Sequence, residues 1–142
     1  MKELTVLLLR SALGIAFLSA VADRLGYWGP PESPLTAWGN WDHFSQYTSS
    51  LTFGASGILL LILAVGATFL EVLLGIFLIL GYKIKQTAFC SGVLLLIFAT
   101  GMALNTHIKY TLDYSVFSAC FGAFLLAYQP FGKWSVDHAM KR

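Results

Sequence analysis

Two charged residues stand inside otherwise apolar stretches: Arg10 in LLLRSALG and Glu71 in TFLEVLLG. A charge at the centre of a membrane helix costs roughly 2.5–3.5 kcal/mol on insertion scales. A central Leu or Ile returns only about 0.3–0.6 kcal/mol. Each charge therefore offsets several aliphatic residues, and pairing is the least costly way to keep both. Arg10 lies about 9 Å from the start of its stretch and Glu71 about 15 Å from the end of its own, depths an arginine side chain can bridge. Glu71 shares a helix face with Ala64, Ala67 and Gly75, small residues that allow close helix contact. An Arg10–Glu71 ion pair is the expectation. Fixing helix register and handling a proton or ligand are the two roles open to it.

A second polar group gathers at the opposite ends of the apolar stretches: Asp23, Arg24, Asn105, His107, Lys109 and Asp113. With Trp38 and His43 from the intervening loop, it forms a candidate outer ligand site, in which His107 and Asp113 could relay a proton or hold a headgroup. Solvated helix ends are also simply polar, which is the plainer reading. The three histidines, His43, His107 and His138, lack metal-binding spacing, so no metal is expected. Cys90 and Cys120 form no CxxC and lie in apolar runs, where cysteine behaves as a small hydrophobe. There is no glycine-rich phosphate loop and no nucleophile motif, so the catalytic residues stay unknown.

The elements that must position these groups follow from composition. Hydrophobic residues make up 57% of the 142 and charged residues 11%, against roughly 25% charged in soluble domains. Four stretches reach the length and apolarity of a membrane-crossing helix: about 4–22, 57–80, 87–105 and 112–128, the last stopped by Pro130. The fold class expected is all-α, a single-domain four-helix membrane bundle over residues 1–142 with an outer loop at 23–56. Ala20-Val21-Ala22 fits a signal-peptidase pattern, but Arg10 interrupts the apolar region such a signal needs, so the first stretch is read as a span. In the loop, Pro30, Pro31 and Pro34 exclude a regular helix, whereas 43–51 can form a short one with Phe44, Tyr47 and Leu51 on one face. Tryptophans 28, 38 and 41 suit a membrane interface. The loop either caps the bundle or roofs a ligand entrance, with Ser115 and Ser118 as its floor.

Lys2, Lys83, Lys85, Lys133, Lys141 and Arg142 fall on one side and Arg24 and Lys109 on the other. The excess places both termini in the cytoplasm. A net charge of +2 with no basic face excludes a nucleic-acid partner.

The segments LLLRSALGIAFLSAVADRLG at 7–26, LEVLLGIFLILGYKIK at 70–85 and TLDYSVFSACFGAFLLAY at 111–128 resemble the DoxX family of small four-span bacterial membrane proteins. Arg10 with Gly14, and Glu71 with Gly75, Gly81 and the lysines beyond, match the family's pattern. WGPPESPLTAWGNWDHFSQYT is similar to a subgroup with a long aromatic outer loop. The resemblance implies the bacterial cytoplasmic membrane and an accessory or binding protein that docks a partner or shelters a lipid-like molecule. It also implies quinone as the one cofactor to consider and an oxidoreductase as a protein partner. A membrane subunit of a quinone-linked oxidoreductase is the alternative. An oligomeric proton-coupled transporter is a further one, since four spans would need a homo-oligomer for transport. The cysteine pair that thiol chemistry would want is missing.

Overall fold

The computed structural model describes residues 1–129 and 134–140. Pro130, Lys133, Lys141 and Arg142, which bear on the end of the fourth stretch and on the charge count, lie outside the described residues. Among the described residues seven helices follow one another: α1 (Lys2–Arg24), α2 (Trp41–Leu51), α3 (Gly57–Leu80), α4 (Ile84–Asn105), α5 (Ile108–Asp113), α6 (Val116–Ala127) and α7 (Val136–Ala139). No strand occurs among the described residues. Among the described residues three helices, α1, α3 and α4, are long and apolar enough to cross a membrane.

The α1–α3 contact is built on two glycines. A Cβ on Gly14 would sit 2.7 Å from the Gly75 carbonyl oxygen, and one on Gly75 would sit 3.1 Å from that of Gly14. Small residues let backbones approach this closely, and van der Waals packing then holds helices together in lipid. The crossing also sets a stagger. Arg24, the last residue of α1, lies about 15 Å beyond Gly14, whereas α3 runs about 27 Å from Gly75 to Gly57. Thus α1 stops well short of the far end of α3. Beyond the end of α1 lies α2, which packs on both α3 and α4. Asn105 Nδ2 donates to the Leu51 carbonyl at 3.0 Å and fastens the end of α2 to α4.

At the other end, Gly81 closes α3 in the left-handed conformation (φ 69°). Its amide and that of Tyr82 both donate to the Phe77 carbonyl, a cap that glycine adopts without strain. The chain turns over Tyr82-Lys83 into α4. Against α4 packs α6, where the Phe124 ring fills the space above Gly92 and Cys120 Sγ donates to the Gly92 carbonyl.

The fourth apolar stretch is not one helix. It divides into α5 and α6 at Tyr114-Ser115, with Ser115 at φ 55°. Asp113, Tyr114 and Ser115 are three consecutive exposed residues with polar side chains. They offer no apolar face for a continuous helix to bury, and serine and aspartate favour turns over helix interiors. With 12 residues, α6 extends about 18 Å, shorter than the roughly 30 Å hydrocarbon core.

Candidate functional site

The structure pairs Glu71 with Arg24, not with Arg10. Arg24 Nη2 lies 2.6 Å from Glu71 Oε2, and both residues are buried, at 1% and 3% exposure. Helix direction explains the correction. A helical side chain leans toward its own N-terminus. On α3 that is the loop end, so Glu71 leans toward the loop. On α1 it is the opposite end, so Arg24 reaches back toward Glu71 while Arg10 reaches away from it. The glycine crossing leaves Arg10 and Glu71 about 12 Å apart along the axis, with side chains diverging. Arg24 and Glu71 are about 9 Å apart, with side chains converging. A readable signal was present: Arg24 lies fourteen residues, close to four helical turns, after Arg10, on the same face.

Each nitrogen of the Arg24 guanidinium is engaged. Nε donates to the Ala20 carbonyl at 3.2 Å, Nη1 to Thr68 Oγ1 at 2.8 Å, and Nη2 meets the carboxylate. The Phe44 ring covers the group with its centroid 3.8 Å from Cζ, and Trp38 flanks it at 5.2 Å. Trp38 stacks edge-on against Phe44 and tilts against Tyr47. This aromatic cover is held from below: Asp23 Oδ2 accepts from the Ala37 and Trp38 amides at 3.0 and 2.9 Å. Burial, with the Tyr114 phenol as a lesser influence, pushes the Tyr47 hydroxyl above its ordinary pKa, so it stays protonated as part of the cover.

The candidate outer site therefore divides. Asp23, Arg24 and Trp38 come together with Glu71. Asn105 is committed to the Leu51 and Gly101 carbonyls. His43 is exposed on α2, where its amide donates to the Asn40 side chain. His107 and Asp113 sit at α5 and form no relay. Asp113 pairs with Lys109, and His107, Lys109 and Tyr110 line a shallow recess of about 360 Å³. The expected cavity under the 27–51 loop is filled by Arg24, Trp38, Phe44 and Tyr47, and Ser115 and Ser118 are exposed instead of flooring it.

Arg10 builds a separate site at the α3–α4 turn. Its side chain is buried, and Nη2 donates to the Trp134 carbonyl. A Cβ on Gly81 would collide with Nη1, so the glycine leaves the guanidinium its room here. The same tail segment brings Asp137, whose carboxylate accepts from the Lys83 and Ile84 amides at 2.7 and 2.8 Å. The Asp137 amide donates to the Gly81 carbonyl at 3.1 Å. Asp137 thereby caps α4 from outside its own helix. Sequence reasoning missed this residue because the cap lies more than fifty positions from the helix it serves.

Among the described residues, no cluster of His, Cys, Asp and Glu is placed to hold a metal. Comparison of the chain with protein-family models, with curated proteins and with solved structures finds no match. The chemistry on view is that of a buried ion pair whose guanidinium is engaged on every nitrogen and covered by aromatic rings, an arrangement that holds elements in place.

Proposed function

We propose that this chain is a DoxX-like, four-span protein of the bacterial cytoplasmic membrane that acts as an accessory or binding protein. It docks a protein partner or shelters a lipid-like molecule such as a quinone. In this reading α1, α3 and α4 are three of the spans and the α5–α6 pair is the fourth. Both termini and the 82–86 turn face the cytoplasm, and the long aromatic loop is on the outer side. The observation that carries the reading is the Arg24–Glu71 pair, buried near the middle of α3, with the guanidinium lying beneath Trp38 and Phe44. A charge pair so placed is costly in lipid unless it serves the assembly of the helices or a task inside them. A guanidinium held on every nitrogen favours holding and docking over turnover.

Purification in mild detergent, with mass spectrometry of the proteins and lipids that accompany the chain, tests the proposal. A stoichiometric quinone or protein partner is the expected result. A chain that emerges with bulk phospholipid alone would overturn it. Orientation has its own test. Single cysteines at Ser33 and Gln86, in a variant lacking Cys90 and Cys120, are exposed to an impermeant thiol reagent on whole cells. Ser33→Cys should label and Gln86→Cys should not, and the reverse pattern inverts the topology.

A further inference from the structure

We propose that the groove between the start of α4 and the end of α6 binds one anionic phospholipid, its phosphate on Lys85 and an acyl chain along the helices. The inference rests on the membrane-spanning reading above and adds an occupant at the end of the molecule away from the aromatic cover. The groove is an open surface depression of about 440 Å³, and Lys85, Gln86, Phe89, Cys90, Ala127 and Tyr128 line it. Its layout is graded. Lys85 and Gln86 are exposed in the first turn of α4, at the rim. Cys90 lies about 8 Å deeper along the helix, and beyond the rim the lining is apolar and aromatic. The Phe89 ring stands edge-on to Phe124, 5.6 Å between centroids. Phe124 in turn is seated on Gly92, so one wall of the groove is fixed.

A cation at the rim and apolar side chains below it match the headgroup and the upper acyl segment of a diacyl phospholipid in order. Charge complementarity selects the headgroup. Lys85 is exposed, Lys83 is exposed two residues before it, and the nearby carboxylate of Asp137 is already committed to two backbone amides. Among the described residues that line the groove, none is acidic. Basic recesses between membrane helices are a recurrent site for anionic headgroups. The opposite end offers a contrast: the Lys109 ammonium beside the other recess is paired with Asp113.

The test is native mass spectrometry of the full-length protein. It is first shown to remain in the membrane fraction after alkaline washing, then delipidated and titrated with an equimolar mixture of phosphatidylglycerol and phosphatidylcholine of identical acyl chains. Wild type should prefer the glycerol headgroup. Lys85→Gln should reduce that preference about five-fold, the factor expected for one surface lysine. Lys109→Gln, which removes the same charge elsewhere, should leave it unchanged. Cys90→Trp, which fills the groove, should weaken both lipids alike. Equal binding of the two headgroups by wild type, or equal effects of Lys85→Gln and Lys109→Gln, would overturn the proposal. So would full binding by Cys90→Trp, since the lipid would then not occupy the groove. Because Lys85 is exposed, its replacement leaves the core untouched and decides the matter even if the Trp variant folds poorly. Loss of the chain from the washed membrane would sink the membrane reading itself, an outcome separable from a membrane-bound chain without headgroup preference.

Discussion

The protein buries two arginines of α1 on one face, four turns apart, and gives them opposite kinds of partner. Arg24 meets a carboxylate inside the apolar body, with a threonine and two aromatic rings closing the rest of its surface. Arg10 meets a backbone carbonyl of the tail, and Asp137, the acid of that tail, spends its oxygens on the amides that begin α4. The first arrangement neutralises a charge; the second uses a charge to dock a segment. The difference follows from direction. Both side chains lean toward the N-terminus of α1, which carries Arg24 into the bundle and Arg10 out to its edge. One residue type on one helix face thus reaches two environments.

The largest effect should come from breaking the first arrangement. Removing one member of a buried ion pair strands the other charge and costs about 3–5 kcal/mol. Arg24→Ala or Glu71→Ala alone should therefore destabilise more than the two together, as read from denaturation in mixed detergent micelles. Arg10→Ala combined with Glu71→Ala should show no such compensation. Additive losses for Arg24 and Glu71, with coupling for Arg10 and Glu71, would mean the pairing described here is wrong.

That experiment also measures what could be read from the sequence. Helix α3 covers Gly57–Leu80, the range its hydropathy indicated, because hydropathy and a closing glycine are local signals. The cost of Glu71 in lipid was legible too, as was its need for a cation. Which cation it takes depends on the Gly14–Gly75 crossing and on the opposed directions of α1 and α3, and neither is a property of one segment. The division of the fourth stretch was only half legible. Asp113, Tyr114 and Ser115 are visibly polar, but the run from Val116 to Ala127 is apolar enough to mask them in a window average. Asp137 was illegible, since no local pattern marks a residue that caps a helix more than fifty positions away.

The second arrangement should break more gently and more locally. Arg10→Ala removes a charged donor from the Trp134 carbonyl, and Asp137→Ala leaves the Lys83 and Ile84 amides without their cap. Hydrogen bonds to charged groups contribute about 1.5–3 kcal/mol. Either change should raise hydrogen exchange at residues 83 and 84 and speed proteolysis within 134–140, while exchange around Glu71 stays at the wild-type rate. Global loosening that reached Glu71 would show that the two sites are one cooperative unit.

The aromatic cover is next. Phe44→Leu keeps an apolar side chain over the guanidinium but removes the ring face. A desolvated cation–π contact is worth about 2 kcal/mol or less. The expected loss is therefore below that of either charge deletion, and it should vanish when Arg24 and Glu71 are already replaced. A full loss in that background would assign the role of Phe44 to packing against α3 and α4, independent of Arg24.

The smallest effect is expected at the other ion pair. Lys109 and Asp113 are one turn apart on α5, with side chains 77% and 53% exposed. Water already solvates both charges, so their attraction competes with a high dielectric and with the entropy of two mobile side chains. Exposed pairs at this spacing contribute about 0.3–0.5 kcal/mol. Asp113→Asn should change stability by no more than that, and 0.5 M salt should erase the difference, because exposed charges are screened and buried ones far less so. The same salt should leave the Arg24–Glu71 coupling intact. The two pairs form a graded comparison within one molecule, with the same kind of contact and opposite solvation. If Asp113→Asn destabilised as strongly as Glu71→Ala, the α5 turn would be buried in the working protein. The recess lined by His107, Lys109 and Tyr110 would then be an interior site, and Asp113 would regain the ligand-binding role that its exposure now argues against.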